Sequence, residues 1–373
     1  MGDVYAVEQS EKACFMMRHW RESGVRLCRQ LVHPKPVEWQ VLSQWRTALM
    51  GLAMIFVVLF HMRGRQDGSL AYAMVCCGNI GVDMFLFLSG IGLWFSFSKN
   101  SSIRHFFVRR YVRIYPTWLV VASAFYITDY VSGGRESANL WQLLLNISIN
   151  WCFWQRDAWQ FWFIPAVMML YTVAPFYMKL IRQSRQWQWL PVVAMLFCVM
   201  VQYVAPLHQA VGHIEIFWSR VPIFLIGINA GQWVMQKRQE EGSLLWLLLL
   251  IVLLAASVCI NFESGLRGRF PLFLERMIYI PLSVCLLLLA GRWMSLLPRL
   301  AARVLAFVGG VSLEIYLIHI HYVDVYVRTW NLGFWLRSLC VLFLSTALAW
   351  LLHQLMDFKA PHYRWCRRKR GEG

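Results

Sequence analysis

The chain has 373 residues, of which 59% are hydrophobic and only 15% charged, and its mean hydropathy is +0.49. Such a composition excludes a soluble domain with a wetted surface and indicates an all-α, polytopic membrane bundle. The formal net charge of +17 does not point to nucleic acid, because the basic residues stand in short clusters between apolar stretches, as they do on a cytoplasmic face.

Residues 1–42 read as a cytoplasmic basic extension with a patchy helical pattern (Phe15, Trp20, Leu27, Leu31) that ends at HPKP, where two prolines break any helix. It contains no compact apolar stretch followed by a small-residue cleavage site, so the first true span is expected to target the protein. Apolar stretches long enough to span follow at 43–61, 71–97, 114–131, 160–178, 189–205, 221–235, 244–260, 277–291, 304–326 and 336–356. They predict about ten transmembrane helices over 43–356 and a basic cytoplasmic tail over 357–373. The stretch LLLNISINWCFW (143–154) is too short and too rich in asparagine to span, and reads as a re-entrant or interfacial segment. Counting it as a span would put the loop KLIRQSRQW outside, against the positive-inside rule; leaving it out places both termini in the cytoplasm.

The first span ends GLAMIFVVLFH, with His61 closing an unbroken apolar run. An ionisable ring at membrane depth marks a substrate path, a proton relay or a catalytic site, unless it only snorkels to the headgroups. On one straight helix Arg46 lies about 60° from His61 around the axis and about 22 Å along it. The arginine is then either an inner anchor or a cation that holds an anionic donor while the imidazole works on an acceptor. Asp83, in GVDMFLFLSG, should lie at the depth of His61, either as a helix-start acid or as a carboxylate that orients the imidazole.

Before the third span, RHFFVRRYVRIYP places Arg110 and Arg113 one helical turn apart, with Pro116 fixing the turn into the membrane. Topology alone explains a basic loop here, but the same spacing suits a phosphate-rich donor such as a CoA ester. Trp151, Trp154 and Trp159 belong either to an interfacial belt or to a surface that stacks on sugars. In the ninth span SLEIYLIHIH puts Ser312, Tyr316 and His319 on one stripe, with Glu314 beside it, so this face should look into a substrate cavity. The ten cysteines are scattered and read as small buried hydrophobes, and no metal-ligand spacing is visible.

These blocks, together with WFIPAVMMLYTVAP (162–175) and RVPIFLIG (220–227) and in this order, resemble the acyltransferase-3 family of integral-membrane O-acyltransferases. The resemblance runs from about residue 43 to 356. It implies an acyl-CoA donor entering from the cytoplasm, with no permanently bound cofactor, and delivery of an acyl group, most often acetyl, to a hydroxyl of a surface glycan or lipid-linked glycan. The setting it implies is the bacterial inner membrane, among membrane lipids. The family's catalytic histidine maps onto His61, with Asp83 or His319 tuning it, and its paired arginines map onto Arg110 and Arg113. Two positions depart from the pattern: Met50 stands where the family has an arginine, and Leu313 where a tyrosine is usual. Arg46, one turn before Met50, is the nearest substitute. Some members continue into an extracytoplasmic hydrolase domain; here a stand-alone membrane module is expected. The competing readings are a transporter or flippase of an anionic lipid or glycan without acyl chemistry, and a family member that binds without catalysis.

Overall fold

The computed structural model describes residues 36–64, 69–156, 158–240, 243–262 and 273–358. Most of the predicted N-terminal extension and C-terminal tail therefore lies outside the described residues. Helices dominate: α1 (Arg46–His61), α2 (Ile80–Lys99), α3 (Ile103–Val131), α4 (Leu140–Ile149), α5 (Phe163–Gln183), α6 (Leu190–Tyr203), α7 (Val221–Met235), α8 (Ser243–Phe262), α9 (Phe273–Met294), α10 (Arg299–Gly310), α11 (Ser312–Ile318) and α12 (Phe334–Phe358), joined by shorter turns. Among the described residues the sheet content is one two-residue antiparallel pair, Val37–Glu38 against Gln239–Glu240, with Val37 opposite Glu240. A chain in lipid has no water to satisfy its backbone, so apolar stretches of this length close their hydrogen bonds internally as helices.

The protein is a multi-pass membrane bundle. Among the described residues five helices are long and apolar enough to cross a membrane, or up to seven if each of two bent pairs is one span. All ten predicted stretches fall on helices. However, α1 and α7 have only 16 and 15 residues, and α3 carries several arginines. Burial separates centre from rim: the window in Leu70–Lys99 is 78% buried, whereas those in α8 and α12 are 17% buried. The two rim helices turn residues such as Leu245, Val252, Leu339 and Phe343 outward, which suits lipid contact and not water.

Two local features differ from the sequence expectation. Helix α3 runs unbroken through Pro116, starting eleven residues before the predicted span at 114. The proline removes only one ladder donor, and the packed helix continues past it. The fifth and ninth stretches bend, by 102° between Arg185–Tyr203 and Ala205–Trp218 and by 62° between Arg299–Gly310 and Ser312–Trp330. In the first, Pro206 follows the break; in the second, Gly309 and Gly310 precede it. The 143–154 segment folds as α4 and a one-turn helix, Trp151–Gln155, separated by Asn150 in the left-handed region with φ 53°. Neither piece is long enough to span.

Packing of α1 against α10 positions the site. A side chain at Gly51 would overlap the Leu305 carbonyl, and one at Gly309 would overlap the Thr47 carbonyl. The two backbones therefore meet directly, as small residues allow in membrane bundles. That crossing holds the bend at Val311, and α11 beyond it, against α1.

Candidate active site

Helix α1 ends at His61, where the Met62 N–H closes on the Val58 and Leu59 carbonyls. The His61 ring folds back onto its own helix, with Nδ1 2.7 Å from the Val57 carbonyl oxygen. A carbonyl only accepts, so Nδ1 carries a proton and, in the neutral ring, Nε2 holds the basic lone pair. His319 follows the same logic. Its Nδ1 lies 2.9 Å from the carbonyl oxygens of Ile315 and Tyr316, which leaves Nε2 as the acceptor. That Nε2 is 3.3 Å from His61 Nδ1, and the ring centroids are 5.0 Å apart. The His61 N–H is thus shared between Val57 and His319, and among the described residues the outer nitrogen of His61 has no hydrogen-bond partner, so it can act as a base.

Local backbone geometry presents His319. Residues His319–Asp324 form a π-helix continuing from α11. Such wide turns are rare and frequently mark functional sites; here the His319 ring turns back to the Ile315 and Tyr316 carbonyls. The segment is pinned at its far end by Asp324, which is 1% exposed and accepts from Arg337 at 2.6 Å and from Arg328 at 2.9 Å. Tyr322 ties its middle to α3 by donating to the Val121 carbonyl at 2.8 Å.

Beside the histidines lies a cavity of about 100 Å³ between α1, α2, α3, α5 and α11. Helix α1 supplies the stripe Arg46, Met50, Met54 and Val57, and α3 supplies Arg110 and Arg113. The apolar wall continues through Val82, Phe85, Ile114, Val167 and Leu313, and Ser89, Phe163, Tyr171, Ser312 and Tyr316 also line it. No carboxylate is among its lining residues, so three guanidinium groups give it a strong preference for anions. Val57 and Tyr316 are the residues one helical turn before His61 and His319 respectively, so the cavity stops one turn short of the histidine pair.

Five of the nine residues singled out from sequence therefore line one cavity: Arg46, Arg110, Arg113, Ser312 and Tyr316. Two more, His61 and His319, form the adjacent pair. The remaining two face elsewhere. Asp83 is 1% exposed and lies 3.2 Å from Arg276 Nη1 and 3.5 Å from Arg220 Nε. No hydrogen bond or ion pair joins it to His61 among the described residues. Glu314 accepts from His353 of α12 at 2.8 Å and does not line the cavity. The expected placement of Asp83 at the depth of His61 does not hold: Gly81 packs on the Ala53 carbonyl, so Asp83 lies about two turns nearer the Arg46 end of α1, and its carboxylate turns to Arg220 and Arg276.

Sequence reasoning missed Arg220 and Arg276. Both are 1% exposed, and Arg220 also donates to the Asn79 side chain at 2.9 Å and the Ile216 carbonyl at 3.0 Å. Arg220 opens the RVPIFLIG block, and an arginine directly before an apolar run reads equally well as an interfacial anchor. Among the described residues no group of three or more histidine, cysteine, aspartate or glutamate side chains is placed to hold a metal ion.

A model of an acyltransferase domain matches residues 46–354, a segment that contains both histidines and every residue lining the cavity. The chain belongs to the acyltransferase-3 family. This acyltransferase-3 protein is also 27% identical over 134 residues to a protein of Acidianus two-tailed virus that carries a provisional acetyltransferase name. That match covers 33% of this chain and 40% of the viral protein. No solved structure matches the chain.

Proposed function

We propose that this acyltransferase-3 protein moves an acyl group, most simply acetyl, from cytoplasmic acyl-CoA to a hydroxyl of a surface glycan or lipid-linked glycan in the bacterial inner membrane. The observation that carries this reading is the juxtaposition of an anion-binding cavity, lined by Arg46, Arg110 and Arg113 and free of carboxylates, with the His61–His319 pair one turn beyond it. In this reading the guanidinium groups hold the donor's phosphates, and the apolar stripe Met50, Met54 and Val57 guides the thioester arm toward His61. In the same reading the ten-span topology expected from the sequence, with both termini cytoplasmic, would put the arginines on the donor side and His61 on the acceptor side.

The chemistry follows from the tautomer. His61 Nε2 takes the proton of the attacking acceptor hydroxyl, while His319 Nε2 accepts from Nδ1 and steadies the imidazolium that forms. The oxygen–acyl bond forms, the carbon–sulfur bond breaks, and the proton passes from His61 to the departing CoA thiolate. Acyl capture by His61 itself, followed by transfer, uses the same geometry.

The test is the O-acyl content of cell-surface glycans in a deletion strain carrying either the wild-type gene or His61→Ala at matched membrane levels. Acylation restored by wild type alone supports the reading. Unchanged acylation together with an altered amount of surface glycan supports a transporter and overturns it.

A further inference from the structure

Tyr316 is placed between the cavity and the histidine pair. Its ring lines the cavity, stands 5.3 Å from the Phe163 ring and 6.1 Å from the His319 ring, and its own carbonyl helps to fix the His319 tautomer. The hydroxyl oxygen accepts from the Phe163 backbone N–H at 3.1 Å. A phenol has one proton to give and two lone pairs to fill. Among the described residues Phe163 is its hydrogen-bond partner, so one lone pair is used and the O–H proton has no acceptor.

Phe163 is also the first residue of α5, a helix of 21 residues. Its N–H belongs to the set that a helix start leaves without intrahelical partners, at the end where the helix dipole is positive. An oxygen that accepts from such a group becomes a stronger donor through its own O–H. The N-terminus of α5 thus favours negative charge next to the Tyr316 hydroxyl.

Resting on the acyltransferase reading above, we infer that Tyr316 is the oxyanion donor, a catalytic residue whose O–H binds the thioester carbonyl oxygen and the negative charge that develops there. The acceptor oxygen attacks the carbonyl carbon and its proton goes to His61. The carbonyl electron pair moves onto the oxygen, where Tyr316 holds it by a hydrogen bond without giving up its proton. Collapse then expels the CoA thiolate, which takes the proton back from His61. No oxidant, reductant or further co-reactant enters. Tyr316 differs from the arginines in what it recognises: they hold the donor in its ground state, whereas the phenol acts on charge present only at the tetrahedral stage.

The test uses membrane vesicles from the deletion strain with matched amounts of the full-length wild type, Tyr316→Phe or Tyr316→His, supplied with acetyl-labelled acetyl-CoA. Label reaching glycan, label released by slow hydrolysis of the donor, and binding of CoA are read in parallel. Losing one oxyanion donor costs about 10²–10³-fold in turnover. Tyr316→Phe is expected to show that loss in transfer and hydrolysis alike, with CoA binding within about threefold of wild type. Tyr316→His, whose ring N–H stops short of the phenol oxygen and can reach the carbonyl through one bridging water, should recover part of the rate. Turnover within about threefold of wild type in Tyr316→Phe overturns the inference, as does a loss of CoA binding that accounts for the whole loss of rate. If Tyr316→Phe does not accumulate, Tyr316→His decides, and a histidine variant that binds CoA but is as slow as His61→Ala also overturns it. A wild type that transfers no label and consumes no acetyl-CoA removes the acyltransferase reading, and Tyr316's role with it, which is a different result from an active wild type with an unaffected variant.

Discussion

The guanidinium group of Arg46 lies over Gly92, in the space that any side chain at that position would fill. Helix α2 therefore lacks a side chain where α1 sends its one arginine into the cavity. Gly92→Ala should force the Arg46 head out of place and, if Arg46 holds the donor, raise the KM for acetyl-CoA about tenfold, equivalent to about 1.4 kcal/mol, with kcat nearly unchanged. Gly310→Ala is the matched control, since a methyl group there meets nothing within 4 Å, and it should leave KM alone. Steady-state kinetics on the two variants separate the outcomes.

The His61–His319 contact makes a second expectation. Removing the His319 ring takes away one acceptor of the His61 N–H but leaves the 2.7 Å bond to the Val57 carbonyl, so the His61 tautomer survives and only the support for its charged form is lost. His319→Ala should lower kcat about 10- to 100-fold, whereas His61→Ala should remove general-base catalysis worth about 10²–10⁴-fold. CoA binding should be retained in both. A His319→Ala enzyme as slow as His61→Ala would mean that the two rings act as one unit.

Asp83 is expected to behave as a structural residue. Its carboxylate is the meeting point of two buried guanidinium groups, Arg220 and Arg276, and a second acid, Glu275, accepts from Asn79 at 3.2 Å in the same cluster. Replacing it by an amide leaves two cations without their shared counter-charge in a site closed to water. Breaking a buried pair in this way costs about 3–5 kcal/mol. Asp83→Asn should therefore lower the membrane level of the protein and its thermal midpoint in detergent, while the protein that does fold keeps the wild-type pH dependence of turnover. A shifted pH profile at normal stability would instead return Asp83 to the role of tuning His61.

These expectations show which parts of the molecule could be read in advance. Position along a single helix was legible, since an apolar run reports how far a residue lies from the end of a helix; His61 and His319 were found that way, and Arg110 and Arg113 by their one-turn spacing. Direction across the bundle was not. Asp83 was expected at the depth of His61, but Gly78 packs on the Phe56 carbonyl and Gly81 on the Ala53 carbonyl, which sets Asp83 about two turns nearer the Arg46 end of α1; no periodicity in a uniformly apolar helix reveals that register or the face of α2 that meets α1. The same limit hid the partnership of Glu314 with His353, 39 residues away. The bend at Val311 and the π-turn that aims His319 are tertiary in origin, and Gly309–Gly310 was their only trace in the sequence.

The departure at Met50 can be tested in the same terms. Met50 lines the cavity on the α1 stripe, one turn from Arg46 on one side and one turn from Met54 on the other. A cation placed there would join Arg46, Arg110 and Arg113 within reach of the same anion. Met50→Arg should tighten CoA binding by up to about tenfold, the scale of one charge-assisted contact at about 1.4 kcal/mol, and should make that binding more sensitive to salt, because screening weakens long-range attraction most. Arg46→Met alone should weaken binding, and adding Met50→Arg to it should restore much of the loss, since the two guanidinium groups would serve one ligand from adjacent turns. If Met50→Arg improves binding but not turnover, Arg46 already meets the catalytic requirement. If it improves neither, the anion lies further toward Arg110 and Arg113, and the substitution of one α1 arginine for the other is not what preserves donor binding in this chain.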